Sequence, residues 1–294
     1  MEKQHIFTGV ATAMVTPMTE AGVDYESFGR LIDWQIASGV QALAVCVTTG
    51  EAPTLTDEEH CKTVEFAVKR AAGKVPIIAG TGSNDTRHAI MMSQNAAVLG
   101  AAAVLCVTPY YNKPTQTGLI QSYTAIADAS TVPVILYNVP GRTGVNIEPE
   151  TYGVLADHPR ICAIKEANNN IAKIVDTFRI VGDRMDIYSG NDDQIVPILS
   201  MGGKGVISVL SDVCPAETVE MCDRFFRGDI QGSAALQMKY MPLIKALFSQ
   251  TNPIPAKAAL ARMGYGEDYL RLPLTPMEEP FRSRLYAEMD KLGL

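Results

Sequence analysis

The sequence predicts an α/β chain that closes into a (β/α)8 barrel, with extra helices after the last strand. Three observations point there. Eight short apolar, β-branched runs recur along the 294 residues. The first four begin at residues 9, 42, 75 and 102, a spacing that accommodates one strand and one helix per unit. The runs are apolar on both faces instead of alternating, as strands covered on both sides are. A doubly wound open sheet is the other arrangement such alternation allows.

In order, the strand runs are GVATAMV (9–15), ALAVCV (42–47), VPIIAG (75–80) and AAVLCV (102–107). VPVILY (132–137), ICAIK (161–165), DIYSG (186–190) and GVISV (205–209) follow. Helical patterns fill the gaps. In 24–39, Phe28, Leu31, Ile32, Gln35 and Ile36 form one stripe, and Gly39 stops the helix. In 56–73, Thr56 and Glu59 form a capping box, and Gly73 marks the end. From about Pro215 onward the patterns are helical only. Residues 1–224 are therefore expected to form the barrel, and residues 225–294 a helical extension packed on it. No linker or low-complexity segment interrupts the chain.

Composition narrows the function. Hydrophobic residues make up 47% and charged residues 19%, which suits an ordinary globular protein with a large core. The formal net charge is -7 with no like-charge run, which argues against nucleic acid or an anionic membrane as partner. The six cysteines include no Cys-x-x-Cys pair and read as structural thiols in a reducing compartment. His5, His60, His88 and His158 are scattered, so no metal is expected. With no secretory signal pattern in MEKQHIFTGV and no membrane-length apolar run, the expected location is the cytoplasm.

Barrel chemistry sits where strands end and loops begin. The predicted strand ends carry Thr16, Thr48-Thr49-Gly50-Glu51, Gly80-Thr81-Gly82, Thr108-Pro109-Tyr110-Tyr111, Tyr137-Asn138, Lys165, Ser189-Gly190 and Ser208. This is a ring of hydroxyls and phenols around one lysine, with Arg142 in a nearby Gly-rich loop. Such a set suits proton shuttling about a covalent amine adduct. A free lysine, with a pKa of about 10.4, is neutral in only about one molecule in 2,500 at pH 7. Burial shifts a lysine by up to about 3–5 pH units, enough to make Lys165 a nucleophile. The competing reading is a strand-end cap that reaches solvent. The GTG of 80–82 lacks the third glycine of a dinucleotide fingerprint and reads as a tight turn. Gly202-Gly203 reads as a helix end.

TTGE (48–51), VTPYYNKP (107–114), YNVPGRTG (137–144), IKEA (164–167) and GVISV (205–209) together resemble the dihydrodipicolinate synthase family of pyruvate-dependent class I aldolases. NPIPAKAAL (252–260) and LRLPLTP (270–276) extend the resemblance over nearly the whole chain. It implies a TIM barrel with C-terminal helices. It also implies condensation of pyruvate with aspartate-4-semialdehyde through a lysine imine, with no further cofactor, in lysine and diaminopimelate biosynthesis.

Position by position, the resemblance makes Lys165 the Schiff-base lysine and Tyr137 the phenol beside it. Thr48 becomes the hydroxyl of a relay, and Tyr111 the phenol supplied across a dimer interface. Thr49 would hold the pyruvate carboxylate and Arg142 the semialdehyde carboxylate. Gly190 and Ile207 would line the pocket. A homotetramer built as a dimer of dimers is implied. Many members bind lysine in a cleft whose matching positions here are Ala52, Pro53, Asp57, His60, Asn84, His88 and Tyr110. The changes at 52, 57 and 88 predict weak or absent inhibition. Val47 stands where the family usually has glycine. A sister aldolase acting on a sugar-derived aldehyde, and a catalytically silent keto-acid-binding barrel, are the alternatives. Arg142 discriminates against the first, and the complete lysine–phenol–hydroxyl set against the second.

Overall fold

The computed structural model describes residues 3–294. Eight parallel strands form its barrel: β1 (Gly9–Ala13), β2 (Ala42–Val45), β3 (Ile77–Gly80), β4 (Ala103–Val107), β5 (Val134–Asn138), β6 (Ile161–Glu166), β7 (Asp186–Ser189) and β8 (Gly205–Ser208). Each strand pairs with the next in sequence and β8 returns to β1, which excludes the open sheet. All eight fall on the predicted runs.

Closure depends on glycine where backbones crowd. Gly205 of β8 has φ +151°, and a Cβ there would lie 1.8 Å from the Gly9 carbonyl oxygen of β1. Gly80 plays the matching part in the GTG segment, since its Cβ would lie 2.2 Å from the Cys46 carbonyl oxygen. These glycines permit close approach of neighbouring strand ends.

The β5–β6 ladder carries an irregularity. Val134 pairs with Ile161, but Ile135 pairs with Ala163, so Cys162 is surplus on β6. Beyond it Tyr137 pairs with Lys165 and Asn138 with Glu166.

The two helices read in detail form as expected. Tyr25–Ala37 is capped by Asp24, whose side chain accepts from the Ser27 amide, and Gly39 leaves it at φ +88°. Its face of Phe28, Leu31, Ile32 and Gln35 is buried. Asp57–Ala71 has both bonds of the Thr56–Glu59 capping box. Its left-handed cap falls on Ala72, one residue before Gly73. Gly202-Gly203 does follow a short helix, Ile195–Ser200. The small hairpin Met18–Thr19/Gly22–Val23 was not foreseen, because two-residue strands carry no periodicity.

After β8 the described chain is helical: Leu210–Val213, Pro215–Phe226, Ile230–Leu247, Ile254–Arg262 and Phe281–Asp290. Pro215–Phe226 packs against β1, so residue 224 lies inside a helix that touches the barrel. Among the described residues no helix is long and apolar enough to cross a membrane. None of the six cysteines is in a disulfide, and all but Cys61 are buried.

Candidate active site

A cavity of ≈ 840 Å³ opens at the strand ends, and Thr48, Thr49, Tyr137, Arg142, Lys165 and Gly190 all line it. Alternation along β6 explains the position of the lysine. Lys165 points inward, and the following Glu166 points to the helical layer, where it accepts from the Tyr152 hydroxyl at 3.1 Å. Lys165 is 3% exposed, with Nζ 4.3 Å from the centroid of the Tyr137 ring.

Burial makes this amine unusual. Desolvation pulls its pKa down to about 8. Arg142 adds to that effect, while Asp192 and Asp212 oppose it. Both acids are buried, and burial raises the pKa of each. Asp192 is tied to the Val209 and Leu210 amides at 3.1 and 2.8 Å, and Asp212 to the Val15 amide at 3.2 Å. The Tyr137 phenol is pushed up by burial, against the pull of Arg142 and of the Thr48 hydroxyl. A phenol so placed stays protonated at neutral pH and has a proton to give.

Thr49 is buried and accepts a hydrogen bond from Asn252 Nδ2 at 2.9 Å. Arg142 donates from Nη1 and Nη2 to the Asn252 carbonyl, each at 3.1 Å. Ile207 is fully buried in β8 opposite Ala11 and is not among the lining residues, whereas Val209 is. Tyr111 lies outside the cavity. It is 89% exposed and holds φ +73°, a conformation costly for a bulky residue.

A second cavity, ≈ 560 Å³, shares Thr48, Tyr137 and Arg142 with the first. Ala52, Pro53, Asp57, His60, His88 and Tyr110 line it. Asn84 does not, although its carbonyl accepts from Asn112 Nδ2 at 2.6 Å. His60 Nε2 meets the Gly80 carbonyl at 2.6 Å, and burial lowers its pKa. It is therefore a neutral donor there. His88 Nε2 contacts Asp57 Oδ1 at 3.0 Å. Val47 lines this cavity without a positive φ, because the left-handed steps of its turn fall on Cys46 and Glu51.

Two features escaped the sequence reading. Asn252 was noted only as part of a motif. Glu51 and Lys257 form an ion pair with side chains 1% and 2% exposed, joining the TTGE turn to helix Ile254–Arg262. The hint was a lone lysine among alanines in IPAKAALAR. Glu166, held by Asn138, Tyr152 and the Asn168 amide, is the third buried acid near the lysine. Among the described residues, no three His, Cys, Asp or Glu side chains gather into a possible metal site.

Comparison with known proteins adds the family. The profile of the Dihydrodipicolinate synthetase family matches residues 6–292. The 4-hydroxy-tetrahydrodipicolinate synthase of Lachnoclostridium phytofermentans is 51% identical over 98% of this chain and 99% of its own. A solved structure of the first monomeric dihydrodipicolinate synthase variant superposes with a TM-score of 0.96 at 45% identity, covering 98% of this chain and 97% of that one. The chloride-inhibited dihydrodipicolinate synthase of Acinetobacter baumannii, complexed with pyruvate, gives 0.95 at 42% identity, covering 98% and 99%.

Proposed function

The chain belongs to the dihydrodipicolinate synthetase family, and from that premise we propose which of its residues carry the reaction. The activity is the lyase-class synthesis of 4-hydroxy-tetrahydrodipicolinate, in lysine and diaminopimelate biosynthesis. The substrates are pyruvate and aspartate-4-semialdehyde. The observation that carries the assignment is a buried, cavity-lining Lys165 whose amine sits over the Tyr137 ring.

Neutral Lys165 Nζ attacks the pyruvate ketone. Tyr137 donates a proton to the resulting hydroxyl, which leaves as water, and the imine forms. Loss of a methyl proton gives the enamine, which forms the new carbon–carbon bond with the aldehyde of the semialdehyde. Tyr137, left as phenolate when water departs, takes up that methyl proton and hands it to the aldehyde oxygen, which becomes the product hydroxyl. The amine of the semialdehyde then displaces Lys165 from the imine carbon, closing the ring and freeing the lysine. Thr48 passes protons to and from Tyr137. Thr49 holds the pyruvate carboxylate, with Gly190 and Val209 at the pocket wall, and Arg142 holds the semialdehyde carboxylate. The imine itself is the electron sink, so none of these steps calls on a bound cofactor.

Tyr111 belongs to the relay of a second copy. Its exposure and strained backbone support a role outside its own cavity, and a homotetramer made of two such dimers is the assembly we infer. A fully active species sedimenting as a monomer would refute that. The second cavity is the regulatory cleft.

Borohydride trapping with pyruvate tests the chemistry. The parent protein should gain mass on Lys165, and Lys165→Ala should gain none. Full trapping by Lys165→Ala would show that another residue is the nucleophile.

A further inference from the structure

We propose that Asn252 is a positioning residue that sets both carboxylate-binding side chains at once. Its side-chain amide orients the Thr49 hydroxyl, and its main-chain carbonyl holds the Arg142 guanidinium. The inference rests on the roles given above to Thr49 and Arg142.

The position of Asn252 is unusual for a barrel site. Such sites are built from the loops that follow the strands. Asn252 instead lies between helices Ile230–Leu247 and Ile254–Arg262, beyond the last strand. It nonetheless lines the same cavity as Lys165. The segment that delivers it is fixed from two sides. Lys257, one helical turn on, forms the buried ion pair with Glu51 and donates to the Tyr269 carbonyl at 2.9 Å. The Arg271 amide meets the other Glu51 oxygen at 3.2 Å, and the Arg271 guanidinium holds Glu59 and the Thr54 carbonyl.

The direction of the Asn252–Thr49 bond matters. A hydroxyl has one proton to give and lone pairs to receive. Asn252 Nδ2 donates to Thr49 Oγ1 at 2.9 Å, so the Thr49 proton is left for another acceptor. A substrate carboxylate in the cavity is that acceptor. Asn252 Oδ1 is buried with no protein partner, so no competing contact turns the amide away. On the other side, the carbonyl takes one N–H from each of Nη1 and Nη2 of Arg142. A guanidinium has five N–H groups, so three remain for a second carboxylate. One residue thus orients donors for two anions, through its side chain and its main chain separately.

That separation gives the test. Asn252→Ala removes the amide but keeps the carbonyl. In steady-state assays of the full-length protein, its KM for pyruvate should rise about 2- to 13-fold, the range of one neutral hydrogen bond. Its KM for aspartate-4-semialdehyde should stay within about twofold, because Arg142 keeps its acceptor. Asn252→Asp is nearly isosteric but only accepts; it should draw the Thr49 proton to itself and raise the pyruvate KM further. Thr49→Val should raise the pyruvate KM, and adding Asn252→Ala to it should cost little more. The inference is overturned if both Asn252 variants leave the pyruvate KM unchanged while Thr49→Val raises it. It is equally overturned if Asn252→Ala raises both KM values alike. If Thr49→Val itself leaves the pyruvate KM unchanged, the assignment of Thr49 fails and takes the inference with it.

Discussion

Lys165 and Tyr137 pair in register across β6 and β5, and the lysine amine rests 4.3 Å from the centre of the phenol ring. Neighbouring strands thus deliver the proposed nucleophile and the proposed proton donor to the same level of the same face. With the lysine pKa near 8, about one molecule in ten is neutral at pH 7. The rate of imine trapping at limiting pyruvate should therefore rise with pH about tenfold per unit below 8 and level off above it. A profile still climbing at pH 10 would mean that the lysine behaves as a solvated one.

Glu166 ties the stability of the fold to pH. Burial raises its pKa from 4.5 to about 7, despite the donors around it. Between those values the folded state binds a proton that the unfolded chain has released. The stability from this group is full below about pH 4.5 and is lost as pH rises through 7, by about 3 kcal/mol. Glu166→Gln should flatten the parent's pH dependence of chemical denaturation across that window. Parallel curves for the two proteins would contradict the shift.

Lys257→Met strands the Glu51 carboxylate in the interior, which should cost about 3–5 kcal/mol in denaturant unfolding. Adding Glu51→Gln removes the stranded charge and should restore most of that loss. If the double variant is no more stable than Lys257→Met alone, a stranded Glu51 charge is not the source of the loss.

Inhibition by free lysine should be weak, with half-inhibition only above about 1 mM at saturating pyruvate. In the second cavity Asp57 Oδ1 is already engaged by His88 Nε2, so one oxygen of the only cleft carboxylate among the matching positions is occupied before the ligand's ammonium groups arrive. His88→Glu should tighten inhibition about ten- to 150-fold by adding a charged acceptor. Sub-millimolar inhibition of the parent protein would refute this account of the cleft.

The barrel was legible because its strands are buried on both faces. ICAIK reads as a strand from composition alone, and the lysine at its end stands out against four apolar neighbours. Thr48, Thr49, Tyr137 and Arg142 were reached through family motifs, and the fold brings them to one cavity with Lys165. Tyr111, reached the same way, points elsewhere in its own chain. Asn252 was invisible because its partner Thr49 is 203 residues away, and no local pattern encodes such a pairing. Glu51 and Lys257 were hidden for the same reason. Each looks like an ordinary surface charge until helix Ile254–Arg262 is laid against the TTGE turn.

The surplus Cys162 decides which side chain does the chemistry. With an uninterrupted ladder from Val134 and Ile161, Tyr137 would stand beside Ile164, and Asn138 beside Lys165. Side chains switch faces at every step. The lysine would then be turned toward the helices, and the reaction chamber would receive an isoleucine. One unpaired residue, three positions upstream and making no contact with substrate, thus acts as the reading frame of the active site. One extra residue near the start of the strand determines that the amine, and not its neighbour, faces the cavity.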